Sequence, residues 1–400
     1  MFILSFGLIL FVGFVIGYFL NKIHIPGLTG MIIVGLVFGP FCLNIIDPKI
    51  LSISSELRQM ALVIILTKSG LSINLNDLKK IGRPAILMCF VPATLEIVGV
   101  MLASHFILHL SWTEGLLLGS VLGAVSPAVV VPRMTKLIEE GYGKNNHAPE
   151  VVLAGASADD VYTIVLFYAF LGLVQSGTLD VKSIALIPVS MISGIALGVM
   201  MGFVLYFLFK YVKIHKTGKL LITFAVTLIM VGLESLLKDY FSISSLLGVM
   251  SVGLIIYFKD PETALNLRKG YSRLWTFFEV LLFVLVGASV DLSFAAQNIL
   301  PGLAVLANGL VFRTIGVLIC LIKTPFKRKE RIFIIISYLP KATVQASIGG
   351  IALSLGLGCG AIILTVSVLA ILITAPISAF FIDFFSKKLL QAPPEEINVQ

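Results

Sequence analysis

Charged side chains are scarce in this sequence. Only 12% of its 400 residues are Asp, Glu, Lys or Arg, whereas 58% are hydrophobic, and apolar stretches recur from residue 1 to about residue 385. No soluble surface covers so much apolar sequence, so the composition excludes an ordinary soluble fold. A transmembrane β-barrel is excluded as well, because its segments would alternate apolar and polar residues over about ten positions. The sequence therefore predicts an all-α polytopic membrane protein.

Cysteine is also rare, and its spacing carries no metal-binding signature. Cys42, Cys89, Cys320 and Cys359 lie in or beside apolar segments and form no CxxC pair. We therefore expect neither a structural metal nor a disulfide, and no cofactor. The first apolar span lacks a basic n-region and an A-x-A cleavage site, so we expect a retained helix. No soluble domain is evident beyond a short polar tail (388–400), which we expect to be disordered, and any nucleotide-binding domain would be a separate chain.

The apolar segments predict thirteen transmembrane helices. Their approximate limits are 1–21, 26–43, 53–73, 84–109, 112–133, 150–176, 183–210, 218–238, 242–258, 273–291, 297–322, 331–354 and 358–385. With the N-terminus outside, 22 of the 29 Lys and Arg residues fall in the loops and tail of the cytoplasmic side, and only Lys49, Lys182 and Lys238 in those of the other. This alternation predicts an N-out, C-in orientation. The net charge of +8 then follows from topology, and we expect no nucleic-acid partner.

Two adjacent carboxylates lie near the middle of the sixth span. The stretch "GASADDVYTI" places Asp159 and Asp160 about ten residues into an apolar run, which corresponds to a depth of about 15 Å. A charge at that depth costs at least about 2.5–3.5 kcal/mol, so intramembrane ionisable residues indicate function. Adjacent positions point about 100° apart on a helix, so one structural partner does not easily serve both carboxylates. A structural role is as plausible as a functional one for Arg58, Lys68, Glu234 and Glu279.

Two spans are interrupted by proline in corresponding places. Pro127 lies in "GAVSPAVVVPRM" of span five, and Pro340 precedes Lys341 in "YLPKATVQASIGG" of span twelve. A simple proline kink would explain one break, but two in corresponding halves are typical of a transporter with inverted repeats. Aligning Gly70 with Gly287 carries Glu96 onto Arg313, and the two breaks follow in the same order. The sequence thus predicts inverted repeats with two crossed, discontinuous helices.

The motifs "VSPAVVVPRM", "GASADD", "VFRT" and "PKATVQASIGG" together resemble those of the monovalent cation/proton antiporters, and most closely the NHA-type sodium/hydrogen exchangers. The resemblance covers nearly the whole chain. It implies a homodimeric transporter that is not an enzyme, in the cell membrane, with elevator-type alternating access. It also implies core helices at about 53–176 and 273–385, and dimerisation or scaffold helices at about 1–43 and 183–258.

The resemblance assigns roles to single residues. Asp160 resembles the essential cation and proton ligand, and Asp159 resembles its partner carboxylate. Arg313 stands where electrogenic relatives carry a lysine paired with the first aspartate, and Glu96 matches a glutamate that pairs with this arginine in the NHA subgroup. Lys341 stands at the break of the second crossed helix. We expect no catalytic residues.

The chemistry of these residues suits a hard monovalent cation. Na⁺ and Li⁺ prefer oxygen ligands, which Asp159 and Asp160 supply, together with Ser126 at the span-five break and, more weakly, Thr163. We expect Lys341 to neutralise the carbonyl end of a half helix beside Pro127 and Pro340. A buried carboxyl group favours its protonated form, whereas a bound cation favours the carboxylate, so competition for one site is sufficient for antiport.

Several alternatives remain open at this stage. A K⁺/H⁺ antiporter would use the same ligand types, and a sodium-coupled organic-anion symporter would share the crossed helices. A channel or a non-transporting sensor would carry the same charges as structural pairs. Arginine keeps its charge when buried, and two close carboxylates tend to share one proton, so we expect electroneutral exchange. With Arg313 paired to Glu96, we expect Asp159 to have no fixed basic partner.

Overall fold

The computed structural model describes residues 1–72, 82–143, 145–176, 181–237 and 243–391. Within these ranges the regular secondary structure is entirely α-helical, as the composition predicts, since a helix satisfies its own backbone hydrogen bonds in lipid. Lys238, the end of the predicted span-three motif (73–78) and most of the predicted tail (392–400) lie outside the described residues.

In the described residues, the first half of the chain forms nine helices. They are α1 Phe2–Lys22, α2 Gly27–Phe38, α3 Pro48–Ser52, α4 Ser54–Gly70, α5 Arg83–Met88, α6 Val91–Ile107, α7 Trp112–Leu122, α8 Pro127–Glu139 and α9 Ala148–Ser176. The second half forms nine more. They are α10 Val181–Tyr211, α11 Lys216–Leu237, α12 Ser245–Lys259, α13 Pro261–Ala288, α14 Leu292–Cys320, α15 Arg328–Ser337, α16 Thr343–Ile348, α17 Ile351–Ser354 and α18 Gly360–Leu389.

Polar residues define where several of these helices begin. Glu114 N donates to Ser111 Oγ at 3.3 Å and Ser111 N donates to Glu114 Oε2 at 2.9 Å, which is a capping box at the start of α7. The carboxylate of Asp291 accepts hydrogen bonds from the backbone at the start of α14. Such caps satisfy amide groups that have no partner within the helix.

The described helices include many long apolar ones, as predicted, but they do not establish the number of transmembrane spans. Nine helical stretches in the described residues are long and apolar enough to cross a membrane, and α2 and α12 are shorter apolar helices. The predicted spans 53–73 and 331–354 correspond to α4 and to the α15–α16 pair. The all-α prediction is confirmed, and the count of thirteen stays a prediction.

Glycines of the predicted repeat permit two close helix crossings. A Cβ at Gly70 would lie 2.1 Å from the carbonyl oxygen of Met250, and a Cβ at Gly287 would lie 2.2 Å from that of Ile32. Only glycine lets α4 approach α12, and α13 approach α2, this closely. The two aligned glycines therefore have equivalent roles, since each lets the C-terminal end of one repeat helix pack closely against a neighbour.

The helices pack in two groups. One group joins α6 to α14, α7 to α6 and α9, and α18 to α14 and α15. The other joins α13 to α2 and α4, and α12 to α4 and α10. Spans three and ten, which we assigned to the core, thus pack against each other, and each also packs against a predicted scaffold helix: α4 against α12, and α13 against α2. The division into core and scaffold stays a prediction, and this packing favours moving α4 and α13 to the scaffold.

Candidate functional site: crossed helix breaks with buried charges

The two interrupted spans meet at their breaks. Span five is helical to Leu122 and again from Pro127, and span twelve is helical to Ser337 and again from Thr343. Ser126 N, at the first break, donates to the carbonyl oxygen of Pro340, at the second, at 2.8 Å. The half helices thus cross, with free backbone groups brought to one point inside the protein.

Gln345 also connects the two breaks, because it follows the second break and its side chain contacts the first. Its Nε2 donates to the carbonyl oxygens of Val121 at 3.0 Å and Ala124 at 3.1 Å. Gln345 is fully buried on α16, and it caps carbonyls that lose their helical partners where α7 ends. The sequence analysis missed this role, although Gln345 lies within the quoted stretch "PKATVQASIGG" and is a polar residue in an apolar span.

Arg313 lies at the centre of the site. It is fully buried on α14. Its Nη1 lies 2.5 Å from Glu96 Oε2 and 2.6 Å from the carbonyl oxygen of Gly123, and its Nη2 lies 2.8 Å from Asp159 Oδ2. Its Nε donates to the carbonyl oxygen of Tyr338 at 2.5 Å. One guanidinium therefore binds two carboxylates and one carbonyl at each break, which only the planar, five-donor group of arginine can do.

The contact between Arg313 and Asp159 corrects one expectation. From the sequence we paired Arg313 with Glu96 and expected no fixed basic partner for Asp159. In the structure Arg313 forms ion pairs with both carboxylates. The expectation was wrong because it treated arginine as a single charge, whereas the fork of the guanidinium has separate edges for two acids.

Lys341 differs in detail from its expected role. Its Nζ lies 2.6 Å from Glu96 Oε2, and both side chains are fully buried. Its backbone N donates to Thr374 Oγ1 at 2.8 Å. The side chain that we expected to neutralise a carbonyl-rich helix end is instead the second basic partner of Glu96. Glu96 thus forms ion pairs with two basic residues, Arg313 on α14 and Lys341 at the second break.

The two aspartates have unequal surroundings. Asp159 is fully buried, and its Oδ2 accepts from Arg313 and from Val125 N at 3.0 Å. Asp160 is 7% exposed, and the structure gives it no ion pair within 4.0 Å in the described ranges. Asp159 is therefore held in place by fixed partners, whereas Asp160 has no basic partner in the described ranges.

Six buried oxygen atoms in the charged cluster and at the two breaks have no hydrogen-bond partner among the described residues. Three of them, Asp159 Oδ1, Asp160 Oδ1 and Ser126 Oγ, belong to predicted ion ligands, and the others are Glu96 Oε1, Thr343 Oγ1 and Gln345 Oε1. Buried polar atoms are rarely left unpaired, so such a set indicates a ligand. Thr163 differs, because its Oγ1 donates to the carbonyl oxygens of Asp159 and Asp160 at 3.1 and 3.0 Å. The hydroxyl of Thr163 ties down the helix that carries the aspartates.

The formal charges of the site do not cancel. Glu96, Asp159 and Asp160 supply three carboxylates, and Arg313 and Lys341 supply two fixed cations. The five side chains together carry one negative charge when all are ionised. A single monovalent cation, or a single proton, makes the cluster neutral, and an uncompensated buried charge is strongly unfavourable.

The remaining intramembrane charges lie apart from this cluster. Glu234 Oε2 accepts from Ser245 N at 3.0 Å, where α12 begins. Lys68 on α4 and Glu279 on α13 interact electrostatically across that helix pair. Arg58 Nε donates to the carbonyl oxygen of Ser54 at 3.2 Å, within its own helix. These contacts favour structural roles for the four residues.

Known proteins share both sequence and fold with this chain. The family model described as "Sodium/hydrogen exchanger, transmembrane" matches residues 7–388. The sodium/hydrogen exchanger 9B1 of Homo sapiens is 34% identical over 367 residues, 87% of this chain and 69% of the relative. The sodium/hydrogen exchanger 9B2 of Mus musculus is 33% identical over 352 residues, 84% of this chain. The chain spans only 63% of the length of that mouse protein.

A solved structure supports the fold independently. The sodium proton antiporter MjNhaP1 from Methanocaldococcus jannaschii, at pH 8, superposes with a TM-score of 0.84 over 97% of this chain and 98% of that one. The identity is 19%, so this likeness shows the fold alone. The family matches confirm the resemblance drawn from "GASADD" and the two breaks, and the chain belongs to the sodium/hydrogen exchanger family.

Proposed function

We propose that this protein is a secondary antiporter that exchanges Na⁺ or Li⁺ for H⁺. The observation that carries the proposal is the set of unpaired oxygens of Asp159, Asp160 and Ser126 at the crossing of the two helix breaks. Carboxylate and hydroxyl oxygens are the ligands that hard cations prefer. The relatives, sodium/hydrogen exchangers 9B1 and 9B2, are named for the same activity, which supports the proposal.

Competition at Asp160 is the proposed exchange step. With a cation bound, Asp160 is a carboxylate and the cluster is neutral. Without a cation, Asp160 takes up a proton, because an isolated charge in a low-dielectric interior is unfavourable. Asp159 stays ionised throughout, since Arg313 and Val125 N both bind its Oδ2. The cation-bound and the protonated cluster are both neutral, and either can move across the membrane, whereas the empty charged cluster cannot. The cation flux and the proton flux are therefore coupled.

One charge exchanged for one charge makes the proposed cycle electroneutral. Arg313 keeps its proton because it binds two carboxylates and because its intrinsic basicity is very high. Lys341 is held by Glu96 at 2.6 Å. No carrier of a second proton is then needed. Had Asp159 lacked its arginine, it would have been a candidate for that second proton.

Alternating access is proposed to occur by an elevator motion of the α6–α9 and α14–α18 group against the remaining helices. The two packing groups described above support this division. A homodimer in the cell membrane, with the N-terminus outside and the C-terminus in the cytoplasm, completes the proposal. The excess of lysine and arginine in alternate loops supports the orientation.

Exchange assays in proteoliposomes test the function and separate the alternatives. The purified protein is reconstituted with a pH-sensitive dye inside, and Na⁺, Li⁺, K⁺ or choline is added outside. We expect Na⁺ and Li⁺ to drive proton movement. A response to K⁺ alone would favour the K⁺/H⁺ antiporter, and no response to any cation would contradict antiport. An organic-anion symporter is disfavoured, because the unpaired atoms are acceptors beside a net negative cluster.

A further inference from the structure

The peptide group between Ala124 and Val125 connects Gln345 to the first aspartate of the ion site. Its carbonyl oxygen, on Ala124, accepts a hydrogen bond from Gln345 Nε2 at 3.1 Å. Its N–H, on Val125, donates to Asp159 Oδ2 at 3.0 Å. A peptide group is planar and nearly rigid, so the carbonyl cannot turn without turning the N–H as well. The orientation that Gln345 imposes on one edge of this peptide therefore reaches Asp159 at the other edge.

The side-chain amide of Gln345 has a single orientation that suits its surroundings. Besides Ala124, its Nε2 donates to the carbonyl oxygen of Val121 at 3.0 Å and lies 3.4 Å from that of Leu122. Carbonyl oxygens only accept hydrogen bonds, so the donor end of the amide faces them. The opposite orientation would set the amide oxygen against three acceptors. Gln345 is thus a fixed pair of donors at the end of α7.

The Ala124–Val125 peptide lies between two oxygen-bearing residues of the proposed cation site. Asp159 is bound to its N–H, and Ser126 is the next residue of the chain, so the positions of both depend on how this break is folded. Ala124, Val125 and Ser126 are fully buried, and bulk water does not replace a lost donor there. Arg313 binds the carbonyl oxygen of Gly123 at 2.6 Å, which leaves the carbonyl of the peptide that contacts Asp159 to Gln345.

We propose that Gln345 is a positioning residue of the cation site, which acts on Asp159 and Ser126 through the Ala124–Val125 peptide. This role rests on the proposed exchange of Na⁺ or Li⁺, and it goes beyond capping a helix end. Groups that orient the ligands of an ion without touching the ion change its affinity by about 10–100-fold when they are removed. A purely structural cap would change the stability of the fold and leave the cation affinity of the folded protein unaltered.

Cation affinity measured at one fixed pH tests this role. The variant is Gln345→Met, which keeps the length of the side chain and removes both N–H donors. The matched control is Ser347→Ala on the same half helix, because the buried Ser347 hydroxyl donates to its own helix, at the carbonyl oxygen of Thr343, at 2.7 Å. The half-saturating Na⁺ concentration of the purified full-length protein is measured twice, by thermal stabilisation in detergent and by exchange in proteoliposomes.

We expect Gln345→Met to raise the half-saturating Na⁺ concentration by about tenfold or more in both measurements, and to change the maximal rate of the folded protein less. Ser347→Ala should match the wild type in both. If Gln345→Met does not fold, Gln345→Asn takes its place, since it keeps the amide and shortens its reach by one methylene. The same direction of change is expected for it.

A lower melting temperature for the Gln345 variant, with an unchanged half-saturating Na⁺ concentration, would overturn the positioning role and reduce Gln345 to a helix cap. An equal rise in Ser347→Ala would overturn it too, because any loss of a buried polar group would then have the same effect. A wild type that shows no response to Na⁺ would contradict the proposed function itself, and this inference with it.

Discussion

Arg313 gives the site its order at the scale of single residues. It binds Glu96, Asp159 and a carbonyl at each helix break, so the charge pattern and the crossing geometry depend on one side chain. Lys341 completes the charge of Glu96. Asp160 is left as the acid that has no fixed cation, and this asymmetry between neighbouring aspartates is what the proposed exchange needs.

Asp160→Asn is expected to abolish Na⁺-driven proton movement in proteoliposomes, because the amide keeps the size of the side chain but neither titrates nor supplies charge. Asp159→Asn should impair exchange through loss of the Arg313 contact. The matched control is Asp291→Asn, the same change at the helix cap of α14, where asparagine serves equally well. Exchange by Asp160→Asn at the control rate would show that the site is misplaced.

Arg313→Ala is expected to lower the thermal stability of the detergent-solubilised protein clearly, since it leaves the buried Asp159 without its basic partner and Glu96 with Lys341 alone, at a cost of about 3–5 kcal/mol. The double change Glu96→Ala/Arg313→Ala should recover part of the loss, because removing Glu96 returns the ionised cluster to its original single negative charge. Recovery stays incomplete because Asp159 still lacks Arg313 and Lys341 loses Glu96. Strictly additive losses in a fluorescence melting series would contradict the shared cluster.

At the scale of single helices, the helix breaks could be predicted from the sequence, but the contacts between them could not. Pro127 and Pro340 were readable as interruptions, because proline removes a backbone donor. That the two breaks hydrogen-bond to each other through Ser126 and Pro340 was not readable, since it depends on how two distant helices cross. Gln345 was missed for the same reason: an uncharged polar residue gives no sign of which carbonyls it will cap.

Gly287→Ala tests the crossing of α13 over α2. The added methyl would lie 2.2 Å from the carbonyl oxygen of Ile32, so the helices must separate and the melting temperature should fall. Gly7→Ala is the matched control, because no atom lies within 4 Å of its added methyl. Alanine is a better helix former than glycine by about 1 kcal/mol, so the control should be neutral or stabilised. Equal melting temperatures for both variants would exclude the close crossing.

At the scale of the whole molecule, the sequence predicts the fold class well and the division of the helices into packing groups less well. Composition and span length sufficed for an all-α membrane fold, and the quoted motifs sufficed for the family. The assignment of spans three and ten to the core stays a prediction, because their apolar patterns do not say which neighbour they face. Packing places α4 and α13 with α2 and α12, which leaves the proposed mobile group with α6 to α9 and α14 to α18.

One negative charge in the buried cluster is the central claim about the molecule, and it is tested by Na⁺-driven proton movement at clamped membrane potential. The protein is reconstituted in liposomes, and K⁺ with valinomycin sets the potential at zero, negative or positive values while the internal pH is followed. If the exchange is electroneutral, a Na⁺ gradient moves protons at the same rate and to the same extent at every potential. A clear dependence on the imposed potential would contradict it and would make Asp159 a second proton carrier.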